Sequence, residues 1–272
     1  MKRRKIYSAI LVMTTFTLMF SGCKKQEGAK VEAEMPKSEV ETEEVVEEDN
    51  GLSEEAQAIV DAIQNTLDLP AFEMKSDILM NLNGKKVNMT GELHSETEIV
   101  QGKKPEDLQM LMETTSNLGK GTAFAYYKDG IYYTDDENGK NKVEKSPEEV
   151  LQTVTDITAM VTEAAGEITD VTVTQDGDNA VYSYNVPAYI AESYLEEVIE
   201  SKMAEGTPIS GAKVNVDSLQ MVSTVDASGC LAKQEIVMQG EVKKSIIKVP
   251  ADANVTATFK KSKNTSVAVP AW

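Results

Sequence analysis

Beyond residue 70 apolar and polar residues mostly alternate, and only in a few stretches does the apolar spacing widen to three or four. One such stretch comes before the alternation begins. Ser53 can cap a helix whose first turn holds Glu54 and Glu55, where acidic groups suit the positive end of the macrodipole. Ile59, Val60, Ile63 and Leu67 then recur on one stripe until Pro70 stops it. From there the period is two. Phe72, Met74, Ile78, Met80 and Leu82 share one strand face, with Glu73, Lys75, Asp77 and Asn81 on the other. Asn83-Gly84 signals a hairpin. The returning strand sets Val87, Met89, Leu93 and Ile99 against a polar face of Asn88, Thr90, Glu92, His94, Glu96 and Glu98. A two-residue turn would pair Met80 with Val87 and a four-residue loop would pair it with Met89; either keeps the apolar residues together, because the registers differ by two.

Leu108, Met110 and Met112 mark the next strand, and Ala123 to Tyr127 another. Asp129-Gly130 turns the chain into Ile131, Tyr132 and Tyr133, and a type I′ turn there pairs Tyr127 with Tyr132 and Tyr126 with Tyr133. Ser146-Pro147-Glu148-Glu149 starts a second helix as a capping box, with Val150, Leu151, Val154, Ile157 and Val161 as its stripe. Strands around Val171 to Thr174 and Ala180 to Tyr184 meet at Asp176-Gly177. Pro187 opens a third helix, with Ile190, Tyr194, Leu195, Val198 and Ile199 on its apolar face. Only strands follow: Leu219 to Val225, Leu231 to Met238, Val242 to Val249 and Val255 to Phe259. Roughly ten strands joined by tight turns, interrupted by about three helices, make an α+β fold on an antiparallel sheet, because parallel neighbours need long crossovers. The helices must bury their stripes on the sheet's apolar face.

The first residues are of another kind. Lys2, Arg3, Arg4 and Lys5 precede an apolar run from Ile6 to Phe20, too short for the roughly 20 residues of a spanning helix. This is the layout of a secretory signal peptide over residues 1–22. Phe20-Ser21-Gly22-Cys23 resembles a bacterial lipobox, which implies a diacylglyceryl group on Cys23, anchorage to the membrane and exposure on its extracytoplasmic side. Residues 23–50 hold no aromatic side chain and crowd Glu39, Glu41, Glu43, Glu44, Glu47 and Glu48 together. Such a segment reads as a disordered acidic tether, leaving 51–272 as a single domain. Loss of residues 1–22 removes four cations and takes the formal charge from −18 to −22. That balance excludes nucleic acid as a partner and electrostatic docking on anionic lipid.

Little catalytic chemistry is legible. With Cys23 lipidated, Cys230 has no disulfide partner and reads as a small residue packed in a strand. His94 is the only histidine, on a polar strand face beside Glu92, Glu96 and Glu98, where a solvated surface is the ordinary reading and a zinc site the sharper one. Thr134 to Gly139 has the look of a calcium loop, but Thr134 and Lys145 would occupy its first and last ligand positions, where carboxylates are needed. No motif implies a cofactor, and the chain reads as a non-enzyme. What stands out is Met74, Met80, Met89, Met110, Met112, Met221 and Met238 on strands, since methionine suits surfaces that accommodate apolar ligands.

A lipobox, an acidic tether, a helix, Met-containing hairpins, two inserted helices and a final run of strands resemble the bacterial lipoproteins with a LolA-like or LppX-like domain. The resemblance implies a strongly curved antiparallel half-barrel, helices over its concave side and an apolar cavity between them for a lipid or acyl chain. The candidate lining is Phe72, Met74, Ile78, Met80, Leu82, Met89, Leu93, Met110, Met112 and Phe124. The expected function is a membrane-anchored carrier or sensor of an apolar ligand. Its rival is a structural or interaction lipoprotein with a filled core and an envelope protein as partner. A two-lobed solute-binding lipoprotein fits poorly with consecutive hairpins.

Overall fold

Two meanders of hairpins meet at the middle of one sheet. The first comprises β1 (Ala71–Asn83), β2 (Asn88–Val100), β3 (Gln109–Ser116), β4 (Thr122–Lys128), β5 (Ile131–Asp136) and β6 (Gly139–Glu144). β7 (Thr169–Asp176), β8 (Asn179–Asn185), β9 (Lys213–Val225), β10 (Leu231–Lys244) and β11 (Ile247–Lys261) make the second. The order across the 11-stranded sheet is β6-β5-β4-β3-β2-β1-β11-β10-β9-β8-β7, antiparallel throughout. This computed structural model describes residues 52–84, 88–117, 122–136, 139–192, 213–244 and 247–268, without the side chains at 89, 153–157, 159, 244 and 247. The signal peptide, Cys23, the tether, Val87, and the helical stripe of Tyr194, Leu195, Val198 and Ile199 lie outside the described residues.

Within the sheet the two meanders join at β1 and β11, whose register runs from Phe72 opposite Lys261 to Leu82 opposite Ala251. Pro250 falls just past the end of that pairing, so its missing N–H deprives no β1 partner. The β1–β2 hairpin is longer than Asn83-Gly84 predicts: Asn83 faces Asn88, and Met80 faces Gly91 rather than Val87 or Met89. The slip is by an even number, so the faces stay sorted, with Ile78 opposite Leu93 and Phe72 opposite Ile99. Asp129 and Gly130 both have positive φ, and the tyrosine pairs form as their turn requires.

β6 departs from the sequence expectation. Its segment Gly-Lys-Asn-Lys-Val-Glu is almost entirely exposed, which is why no alternation announces it; the would-be calcium loop is the tip of the β5–β6 hairpin. Val242 and Val249 do not lie on one strand either. They face each other across the β10–β11 hairpin, whose tip carries no Gly, Pro or Asn to mark it. Gly240, which looks like a turn residue, sits instead at a register shift in the β9–β10 pairing.

α1 (Glu54–Leu67) starts with the Ser53 hydroxyl accepting from the Ala56 N–H. α2 (Pro147–Glu163) starts with the predicted box, in which Ser146 and Glu149 bond each other's backbone N–H. A further helix begins at residue 188 and is described to 192. Both α1 and α2 pack on the same face. Ile59 and Ile63 of α1 join Met160, Val161 and Ala164 of α2 over Tyr184, Val216, Leu219, Met221, Leu231 and Ile236. At its other end α2 buries Val150 with Phe72, Ile99, Leu108, Met110, Met112, Ala125, Tyr127 and Tyr132. One helix thus ties the cores of the two meanders together. The opposite face has a small cluster of Ala71, Val100 and Tyr126, closed by Val267 from the segment after β11.

A Cβ at Gly240 would lie 2.2 Å from the Asn215 carbonyl oxygen, whereas one at Gly166 would meet only a Leu52 methyl at 3.8 Å. Gly240→Ala is therefore expected to lose about 1–3 kcal/mol by overpacking and Gly166→Ala much less. Urea unfolding of both variants checks this; equal midpoints would contradict it.

Candidate functional site

Alternation sorts the charges before any helix is considered. Along β1, β2, β3, β8 and β9, and along β10 as far as Val242, no helix-facing position among the described residues carries a charged residue, and β11 has none from Val249 to Phe259. The face is apolar but not uniformly filled. Phe72, Met110 and Met112 are buried in the cluster under the start of α2. They are core residues. Met74, Ile78, Met80 and Leu82 stay half-buried and, among the described residues, join neither large cluster; Leu93 is buried beside Ile78 but is likewise outside them. Met89 pairs with Leu82 through its backbone, and its side chain lies outside the described residues. Phe124 does not share this face. It lies opposite Glu113 and Asp135 on the alternate positions of β4, where it flanks Tyr126 on the outer side.

Next to that β1 strip, β11 offers Ala251, Ala253, Val255 and Ala257 at its helix-facing positions. Their partners on β1 are Leu82, Met80, Ile78 and Ser76, and on β10 they are Gly240, Met238, Ile236 and Gln234. Met80 stands between Ala253 and Gly91, so the surface drops away on both sides of it. The result is a trough of small side chains between taller walls. From Ala251 to Ala257 it runs six residue steps, about 20 Å at the rise of a strand, longer than the ~15 Å half-thickness of a bilayer's hydrocarbon core.

A mainly polar row crosses the face at one end of the trough: Ser223, Gln234, Ala257, Ser76, Ser95 and Thr114 stand in register. Ser95 and Thr114 share a hydrogen bond of 3.2 Å, and the Tyr184 and Ser223 hydroxyls share one of 2.9 Å. Burial pushes the Tyr184 phenol above its ordinary pKa, with Ser223 and Gln234 pulling the other way. Gln234 is 1% exposed, and neither its amide nitrogen nor its amide oxygen has a partner of acceptable geometry. The Thr97 hydroxyl, between Met74 and Met112 in register, is also buried without a partner. Each such group costs on the order of 1–3 kcal/mol when left unpaired.

Two hollows formed by described residues lie elsewhere. One, of about 480 Å³, opens chiefly on the outer face among Leu79, Glu92, His94, Asn117 and Asn254. The other, of about 420 Å³, lies by the β4–β5 turn and the start of α2, against Asp129, Lys145 and Glu149. Tyr127 and Tyr132 are both 1% exposed and packed in the core. Cys230 is not in a strand; it ends a turn in which its N–H donates to the Asp226 carboxylate.

His94 sits on the outer face within a chain of charges. Its Nδ1 lies 2.8 Å from Asp77 and its Nε2 3.4 Å from Glu96, and Glu96 also holds Lys75 at 2.6 Å. Glu92 and Glu98 stand outside this chain, and no group of three or more potential metal ligands occurs among the described residues. The Asp77 hydrogen bond raises the His94 pKa above 6.5; partial burial opposes it, and Glu96 adds to the rise. A raised value means that the imidazolium stabilises the fold below pH 6.5 and that this contribution fades as pH rises through the folded-state pKa. Because His94 is the only histidine, an NMR titration has one imidazole to follow. The expected midpoint lies above 6.5 and falls on Asp77→Asn; a wild-type midpoint below 6.5 would contradict the arrangement.

No family model matches the sequence, and no curated protein matches it. Solved structures align with it at low identity. The ywiB protein from Bacillus subtilis does so at 10% identity and a TM-score of 0.26, over 70% of this chain and 92% of its own. A DUF1329 family protein from Desulfovibrio piger gives 11% and 0.28, over 79% and 95%. The LolA superfamily protein NE2245 from Nitrosomonas europaea gives 8% and 0.28, over 79% and 94%.

Proposed function

We propose that this is a membrane-anchored lipoprotein that binds an apolar ligand, a lipid or acyl chain, between sheet and helices as a carrier or sensor. The observation that carries the reading is the charge-free trough along β11, walled on β1 by the half-buried Ile78, Met80 and Leu82. An apolar strip on the face that the helices cover, with its β1 wall outside the two well-filled clusters, suits a chain-like ligand. The methionines divide accordingly. Met110 and Met221 are wholly buried in core clusters, whereas Met74 and Met80 keep the freedom to adjust to a guest.

Anchorage belongs to the proposal through Cys23 and its lipobox-like context. Two acyl chains there would give a stable attachment where one gives only marginal binding, and the acidic tether would hold the domain on the extracytoplasmic side without attracting it to anionic lipid. The reading is of a binding protein rather than an enzyme. The rival, a structural or interaction lipoprotein of the envelope, draws support from the filling of both large clusters, which already take Phe72, Met110 and Met112 out of any cavity.

Cys23→Ser is expected to move the protein from the membrane pellet to the soluble fraction; retention in the pellet would sink the anchor. For the ligand, the full chain in phosphatidylcholine vesicles is exposed to diazirine-bearing acyl probes, and labelled peptides are identified by mass spectrometry. Labelling of β1, β10 and β11 is expected, reduced about tenfold by Met80→Asp with little loss of stability. Phe72→Ala, a core change, is expected to lose about 3–5 kcal/mol of stability. An unlabelled wild-type domain would favour the structural reading.

A further inference from the structure

The trough has a polar end, and that end has a definite chemistry. Gln234 is the one described side chain whose amide nitrogen and oxygen are both buried and both lack a hydrogen bond of acceptable geometry, although it stands close enough to the Tyr184 phenol to lower its pKa, and it stands directly beside Ala257, a trough residue. Ser76 flanks Ala257 on the other side. An amide offers a donor and an acceptor together, which matches an ester or amide carbonyl, or a hydroxyl, equally well. It does not match an isolated ionised carboxylate, which when buried needs a paired charge. On β11 the first charged helix-facing residue beyond the trough is Lys261, four positions from Ala257 and exposed. Ala253 and Ala257, both buried, keep the floor low from this polar end toward Met80 and Leu82.

We propose that the ligand lies along β11 with an uncharged hydrogen-bonding group at Gln234, so that the protein selects neutral acyl lipids, esters, amides or alcohols, over ionised fatty acids. The inference rests on the binding function proposed above and adds the class of ligand. Gln234 acts as a specificity-determining residue in direct contact with the ligand's polar group, and the walls of the trough take the chain.

Two probes of equal length separate the possibilities: diazirine-bearing hexadecanoic acid and its methyl ester, each offered at pH 8 to the full chain in phosphatidylcholine vesicles. The ester is expected to label the domain at least tenfold more than the acid. Gln234→Leu, which keeps size and removes both hydrogen-bonding atoms, is expected to bring the ester down to the level of the acid without altering labelling by the acid. Thermal unfolding of the same variant guards against a folding defect, and Gln234→Met serves if Gln234→Leu does not fold. Equal labelling by the two probes, or an ester preference that survives both variants, would overturn the neutral-group inference and leave apolar binding intact. A change in unfolding temperature with the ester preference unchanged would make Gln234 a structural residue and overturn it too. Absence of labelling by either probe would instead overturn the binding function itself.

Discussion

The period-two alternation of the strands, kept in phase across two meanders, is the constraint on which everything else depends. It places the charges of the central strands on one side and leaves the other to the helices, so α1 and α2 can settle without burying an ion. A slip of one residue anywhere in β1 or β11 would carry Lys75, Asp77 or Lys260 beneath a helix and Phe72 or Phe259 into water. The observed slip of the β1–β2 hairpin is harmless because it is even.

Within that constraint the helix-facing side has two kinds of surface. Where α2 begins and where α1 crosses it, large side chains interlock: Tyr127, Tyr132, Phe72 and Met110 on one half, Tyr184, Met221 and Ile236 on the other. Along β11 the residues are small, and the neighbouring methionines remain half-buried. Small side chains on a central strand weaken local packing, since each absent methylene forfeits about 0.8 kcal/mol of burial. That the weakness is concentrated on one strand, next to a buried amide without a well-formed hydrogen bond, distinguishes the trough from ordinary looseness spread over a core.

Much of this was legible beforehand, and the exceptions have physical causes. The Ser53 cap, the Ser146–Glu149 capping box, the Asp129-Gly130 turn and the tyrosine pairs follow from local chemistry, and they formed as expected. Which methionines fill a core and which line a surface depends on where the helices lie, and periodicity along one strand says nothing of that; Met110 and Met80 look alike in sequence. Phe124 was placed by hydrophobicity alone, although alternation from Ala125 and Tyr127 assigns it to the outer face. Gln234 gave no signal, because an isolated glutamine in a strand normally points to water. Its meaning comes from Ser223, Ala257 and Ser76, which stand beside it only once the long-range pairing exists.

The seam between β1 and β11 joins the first strand of the domain to the last. In a chain that emerges from its amino end, β1 must wait with one edge unpaired while every other strand appears, and the sheet is completed by the final segment to arrive. Contacts so distant in sequence form slowly, and a waiting edge is open to other chains. Completion of the domain is thereby a late, all-or-nothing event, and the trough, which has its floor on β11 and one wall on β1, does not exist before it.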